Sequence, residues 1–241
     1  MASTTETGHA KNIANLKLLN EINGGFGGAY KPSNPLYDFA AMVAQHSACN
    51  GLQGDVNTQK GIFEPFQNAR VTEFKDAKKL ARRLRTAAKT CGAGKGFYID
   101  VSKIVNKIVG ERVSKPTPTE TDPAGTSASQ VSFDNTVNNF DALAKMLAGE
   151  TKYAPNEADL TVAAATAITA ALDSTNNAVK RSAVPYNNAV IARNKALYTE
   201  VTGLCDVALG SKDYVKQVFT YSSPEFKSIS KIAFRKMPKA K

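Results

Sequence analysis

YAPNEADLTVAAATAITAALDS, Tyr153–Ser174, is the stretch from which the fold is read. Within it Leu160, Ala163, Ala164, Ala167, Ile168, Ala171 and Leu172 recur at spacings of three and four, the interval that gathers residues on one side of an α-helix. Most of these positions are alanine, so the helix suits close packing against another. Asn156 followed by Glu157 predicts the helix start, with the amide as cap and acidic residues opposing the positive helix end.

Working outward, the same words occur earlier in the chain. YKPSNPL at Tyr30–Leu36 resembles YAPNEADL at Tyr153–Leu160, and NLKLL at Asn15–Leu19 resembles NFDAL at Asn139–Leu143. PFQNA at Pro65–Ala69 resembles PYNNA at Pro185–Ala189, and VNKIV at Val105–Val109 resembles ISKIA at Ile229–Ala233. The separations are 123, 124, 120 and 124, and matches in this order predict an internal duplication. Between the copies SKPTPTETDPAGTSAS, Ser114–Ser129, holds three prolines and almost no apolar residue, which predicts a linker.

The expected organisation is a first helical bundle over 1–113 containing a basic helix at 70–91, a linker over 114–130, and a second bundle with a basic tail over 131–241. Each copy is expected to hold four helices, two of them long and antiparallel, so the fold class is all-α with two tandem four-helix-type bundles. Pro185 is expected to open a helix rather than lie inside one, because proline lacks the N–H that a helix interior uses. That helix would carry Val190, Ile191, Asn194, Leu197, Tyr198, Val201, Leu204, Cys205 and Ala208 and stop at Gly210. In copy one the matching stripe is Val71, Phe74, Ala77, Ala81, Leu84, Ala88 and Cys91, stopping at Gly92. Short terminal helices are expected over 101–109 and 224–234.

Composition narrows the functions. No apolar run approaches the ~20 residues of a membrane span, so membrane insertion is not expected. MASTTETGHA at the start has neither the apolar core nor the basic flank of a secretion signal, and Cys49, Cys91 and Cys205 show no CxxC spacing, so the expected location is cytoplasmic. With no Trp, two His and 8% aromatics, the chain is poor in side chains that stack bases or shuttle protons.

The net charge of +10 concentrates in two places. Arg70, Lys75, Lys78, Lys79, Arg82, Arg83, Arg85 and Lys89 face only Glu73 and Asp76, and helical spacing turns most of them away from the apolar stripe. The equivalent helix of copy two balances Arg193 and Lys195 against Glu200 and Asp206. Shared packing therefore does not require the charge of copy one. The tail adds Lys231, Arg235, Lys236, Lys239 and Lys241 without an acid. These thirteen residues are the candidate interaction site, contacting either an acidic protein surface or phosphates.

Catalytic and ligand motifs fail on spacing. GAGKG at Gly92–Gly96 resembles the tail of a phosphate-binding loop, but Lys89 stands where that loop needs its first glycine and Gly96 where it needs Ser or Thr. The glycines read instead as a helix stop. NGGFGGAY at Asn23–Tyr30 lacks the preceding strand of a dinucleotide loop. His46 and Cys49 would share a helix face, yet two ligands do not hold a metal. No catalytic residue, metal or cofactor is expected.

IARNKALY at Ile191–Tyr198, DYVKQVF at Asp213–Phe219 and SSPEFKSISKIAF at Ser222–Phe234 resemble uncharacterised duplicated helical-repeat proteins of Bacteroidota. The resemblance is clearest after about Ser129. Copy one departs from it, since its basic helix replaces the ARN-type helix and no SPE-type segment precedes VSKIVNKIV. The resemblance implies an all-helical duplicated fold, with no assigned chemistry and no residue role to transfer. The expected function is a non-enzymatic structural or assembly protein that self-associates, as a homo-oligomer or filament, or docks on a larger particle through helical surfaces of unlike charge. The alternative is a basic helical protein associated with RNA, DNA or the ribosome.

Overall fold

The computed structural model describes residues 8–111 and 131–236. Among them every regular element is helical: α1 (His9–Gly25), α2 (Phe39–Thr90), α3 (Lys95–Val109), α4 (Phe133–Ala148), α5 (Val162–Tyr198), α6 (Leu204–Phe219) and α7 (Pro224–Ser230). Short 3-10 turns lie at Gly27–Ala29, Pro35–Tyr37 and Ala158–Leu160. The all-α reading holds. The expected linker, 114–130, lies outside the described residues.

The two compact units are drawn differently from the two expected copies. The first joins Met1–Ile62 to Val184–Lys241 and the second is Phe63–Ala183. The expected boundary over 114–130 falls within the second unit. The difference arises because α2 and α5 are single long helices: α2 gives its first part to the first unit and its last part to the second, and α5 does the reverse. The basic run 70–91 is accordingly the last two-fifths of α2 with Cys91 just beyond it, and the expected copy one shows three α-helices among its described residues rather than four.

In the first unit Ile13, Leu16 and Leu19 of α1 pack with Met42 and Cys49 of α2, Leu197 of α5, Leu204, Val207, Ala208 and Val215 of α6, and Ile229 of α7. In the second, Phe74, Ala77, Ala81, Leu84 and Ala88 of α2 pack with Val101, Val105 and Ile108 of α3, Phe140, Leu143 and Leu147 of α4, and Ala165 and Leu172 of α5. Buried positions recur 123 apart between α2 and the α5–α6 stretch, as in Met42 and Ala165, Cys49 and Leu172, Phe74 and Leu197, and Leu84 and Val207. Beyond them the separation is 124, as in Leu16 and Phe140 or Ile108 and Ile232. The match of PFQNA to PYNNA, at 120, is out of this register by three.

Each unit closes its tyrosine loop identically. The Tyr30 hydroxyl donates to the Tyr37 carbonyl at 2.7 Å, and the Tyr153 hydroxyl donates to the Leu160 carbonyl at 2.7 Å. Burial pushes the Tyr153 pKa up to about 12.

Several local expectations are corrected. Helix α5 starts at Val162, where the Thr161 hydroxyl accepts the Ala164 N–H at 3.1 Å, and not at Asn156. Its inward face is Ala165, Ile168, Leu172 and Val179, while Ala163, Ala167 and Ala171 are exposed. Pro185 lies inside α5, and Pro65 inside α2. Both prolines are on exposed faces, where water can reach the carbonyl that loses its partner. Gly92, at φ 81, ends α2 as expected, but Gly210 lies inside α6. The Gly210 position has no room for a Cβ because the Tyr37 ring packs on it. The stripe drawn from Val190 to Ala208 is interrupted at 199–203, leaving Val201 64% exposed at φ 67. Val71 is also exposed, at 58%. The last helix ends at Ser230 and the chain continues non-helical over 232–236.

Candidate interaction surface

The basic part of α2 is largely occupied within its own unit. The Arg70 guanidinium lies 3.9 Å over the Phe133 ring and donates to Asn176 Oδ1 at 3.1 Å. Asn176 passes the contact on to Asp134 at 2.8 Å, and Lys180 reaches the same carboxylate at 2.5 Å. The Lys180 hydrogen bond leads the interactions that hold the Asp134 carboxyl below the usual range. Arg82 and Arg85 converge on Glu111 at 3.3 and 3.2 Å, and Arg85 also reaches Asn106 at 2.9 Å. Their hydrogen bonds, that of Arg85 foremost, pull the Glu111 pKa down. Arg83 pairs with Asp159 of the turn before α5. Lys79 meets Asp76 one turn earlier at 2.8 Å, and the Lys89 ammonium is 5.8 Å from the centre of the Tyr98 ring. Lys75 and Lys78 make neither ion pair nor hydrogen bond among the described residues. A side-chain role inside the unit therefore replaces free surface charge for most of this helix.

In the first unit the tail is gripped by asparagines. Asn12 of α1 donates to the Arg235 carbonyl at 2.8 Å and accepts the Arg235 N–H at 3.1 Å, while Asn15 donates to the Ala233 carbonyl at 2.7 Å. Lys212 of α6 reaches the carbonyls of Ser230 and Ile232 at 3.0 and 2.7 Å, and burial lowers its pKa. Lys236 is paired with Asp206. Lys239 and Lys241 lie outside the described residues. A groove of about 370 Å³ remains between α1 and the tail, with Lys11, Lys231 and Arg235 around Leu18 and Ile232.

Arg193, read from sequence only as part of the charge balance of copy two, is 8% exposed. Its Nε and Nη2 donate to Asn194 Oδ1 at 3.1 and 2.8 Å, and Nη1 reaches Gln53 Oε1 at 3.5 Å. Arg193 and Gln53 stand 123 positions from Arg70 and Asn176, so the same kind of pairing recurs in both units. His9 stands 124 before Phe133. Its Nδ1 is 2.8 Å from the Tyr198 hydroxyl, and burial, then the Arg193 charge, lowers its pKa. The 123–124 register, applied from Phe133 and Arg70, is the signal that finds His9 and Arg193.

His46 and Cys49 do not form part of a larger ligand set. The Cys49 thiol is buried in the first unit's core, with burial raising its pKa, and His46 is half-buried. Among the described residues no three His, Cys, Asp or Glu side chains gather to hold a metal, and no helix is long and apolar enough to cross a membrane. GAGKG joins helix α2 to helix α3, without a strand on either side. The half-buried Cys91 lines an open groove of about 560 Å³ with Arg83, Lys152 and Tyr153. The 3-10 turn Gly27–Ala29 occupies the glycine-rich NGGFGGAY stretch. Comparison with known proteins finds no matching family model, no matching curated protein and no matching solved structure.

Proposed function

We propose that the chain is an internally duplicated, non-enzymatic helical protein that acts by assembly, with itself or on a larger particle, through surfaces of unlike charge. The observation that carries this reading is the contrast between matching surfaces of the two units. Around the α1 groove stand Lys11, Lys231 and Arg235, whereas the positions 124 away are Asn135, Lys107 and Glu111. One set is cationic and the other neutral in sum. A packing arrangement that accepts both does not require the charge, which accords with a role toward a partner. The identical tyrosine loops and the paired arginine contacts support the duplication. Three free cysteines accord with a cytoplasmic location.

Light scattering across salt and protein concentration tests the reading. Salt-sensitive particles larger than one chain are expected, because attraction between exposed unlike charges weakens as ions screen it. A monomer throughout, together with failure to co-sediment with any larger particle, defeats it. The second reading, nucleic-acid or ribosome contact, is favoured by the unpaired Lys75 and Lys78, and salt-sensitive retention of mixed RNA would support it.

A further inference from the structure

We infer that the groove between α1 and residues 228–235 is a docking site for an acidic peptide segment of a partner protein, with apolar residues interspersed among its carboxylates. The inference rests on the assembly reading and names the chemistry of the partner at one surface. Lys11 stands on one wall, and Lys231 and Arg235 on the other, with no Asp or Glu among the described residues lining the space between. Leu18, 46% exposed, supplies apolar surface beneath them, and the edge of the buried Ile232 adjoins it. A volume of about 370 Å³ suits a few side chains rather than a folded domain.

The groove is built by polar contacts peculiar to this unit. Asn15 Nδ2 donates to the Ala233 carbonyl at 2.7 Å, but Asn139, 124 positions later, has a buried Nδ2 without a partner. The reason lies in the chain that follows. After α3 it turns at Gly110, φ 81, and Glu111 is drawn to Arg82 and Arg85. After α7 it runs beside α1 without helix, and Arg235 takes the position of Glu111. The carboxylate that pairs with Arg82 and Arg85 in the second unit thus has a cation at its matching position in the first.

Charge complementarity selects an acidic occupant, and the lining selects a peptide over nucleic acid. Among the described residues no aromatic side chain lines the groove to stack a base, while Leu18 offers a contact that phosphates and sugars do not use. Lys231 and Arg235 have no carboxylate partner among the described residues.

The test uses the full chain and fluorescence anisotropy with a labelled hexapeptide, Glu-Leu-Glu-Glu-Leu-Glu, beside its Gln-for-Glu twin and an oligothymidylate. Saturable, salt-weakened binding of the acidic peptide is expected, with the Gln twin about tenfold weaker or worse. Lys231→Glu with Arg235→Glu should cost about tenfold or more, as should Leu18→Asp, whereas Lys75→Glu with Lys78→Glu should leave affinity unchanged. Lys231→Gln with Arg235→Gln gives a milder version in which folding is preserved by circular dichroism. Equal binding of the acidic peptide and its Gln twin, or full affinity in both double variants of the groove, overturns the inference. Tighter binding of the oligothymidylate overturns it in favour of nucleic acid. Self-association without peptide binding removes the groove and leaves the assembly reading; peptide binding by a persistent monomer keeps the groove and removes self-association.

Discussion

Tyr30 and Tyr153 close equivalent loops, yet their hydroxyls look onto different interiors. Tyr30 also meets Ser211 Oγ at 2.8 Å, and that hydroxyl accepts the Asn23 Nδ2 at 2.9 Å, so the first unit has a polar thread through its core. The residue 123 before Ser211 is Ala88, buried in an apolar cluster. A second exchange lies beside it. Tyr37 packs on Gly210 in the first unit, while the corresponding positions in the second are Leu160 and Ala87, a smaller side chain against a larger one. The backbone arrangement thus accommodates different cores, provided that volume is exchanged across the contact.

The largest expected effect breaks that exchange. Gly210→Ala should destabilise the protein by about 1–3 kcal/mol in urea unfolding, because the new methyl group meets the Tyr37 ring and α6 cannot shift freely. Adding Tyr37→Leu, which recreates the pairing of the second unit, should recover much of the loss. A neutral Gly210→Ala would mean that ring and helix are not tightly coupled.

The tyrosines sharpen the comparison at a lower level. Tyr30→Phe should cost about 1–3 kcal/mol, since it leaves Ser211 and the Tyr37 carbonyl without the shared hydroxyl, and Tyr153→Phe nearer 1 kcal/mol. Equal unfolding midpoints for the two variants would show that the polar thread adds nothing.

Reversing Arg82, Arg83 and Arg85 to Glu should have a smaller effect on folding, because their ion pairs are largely exposed and screened. Helical circular dichroism should be retained, and the drop in midpoint should be less than that of Tyr30→Phe. A collapse of helical signal would show that Glu111 and Asp159 fasten α2 more firmly than exposed pairs ordinarily do.

The smallest effect concerns pH. His9 has a folded pKa below its ordinary 6.5, so the folded state favours the neutral ring. Its contribution is complete above the unfolded pKa and is lost as pH falls from there through the folded value. His9→Phe, which installs the residue found 124 positions later, should flatten that part of the stability profile as pH falls below the ordinary histidine value of 6.5. Wild type and variant falling in parallel would clear His9 of the effect.

The all-α class was legible because alanine-rich spacing and the repeated words agree. The stripe of copy one was legible from Phe74 to Ala88, where each buried residue is followed by the next at helical spacing. Val71 and Val201 were misplaced because spacing alone cannot tell where a stripe lacks a facing partner or where a helix is interrupted. Pro185 was misread since the rule against proline in helices weakens on a wet face. The partners of the arginines were invisible for a simpler reason: Glu111 is 29 residues from Arg82, and Asp159 is 76 from Arg83. A count of local charge cannot include them.

Because each unit draws helices from both sides of residues 112–130, a cut there makes two fragments of which neither owns a complete core. The later fragment carries α4 and the start of α5, whose stripe is covered by α2 and α3, together with α6 and α7, covered by α1 and the start of α2. A nick in that stretch should therefore leave the pieces bound to each other. Produced separately, they should behave as a split reporter, each poorly folded alone and recovering helical signal when mixed.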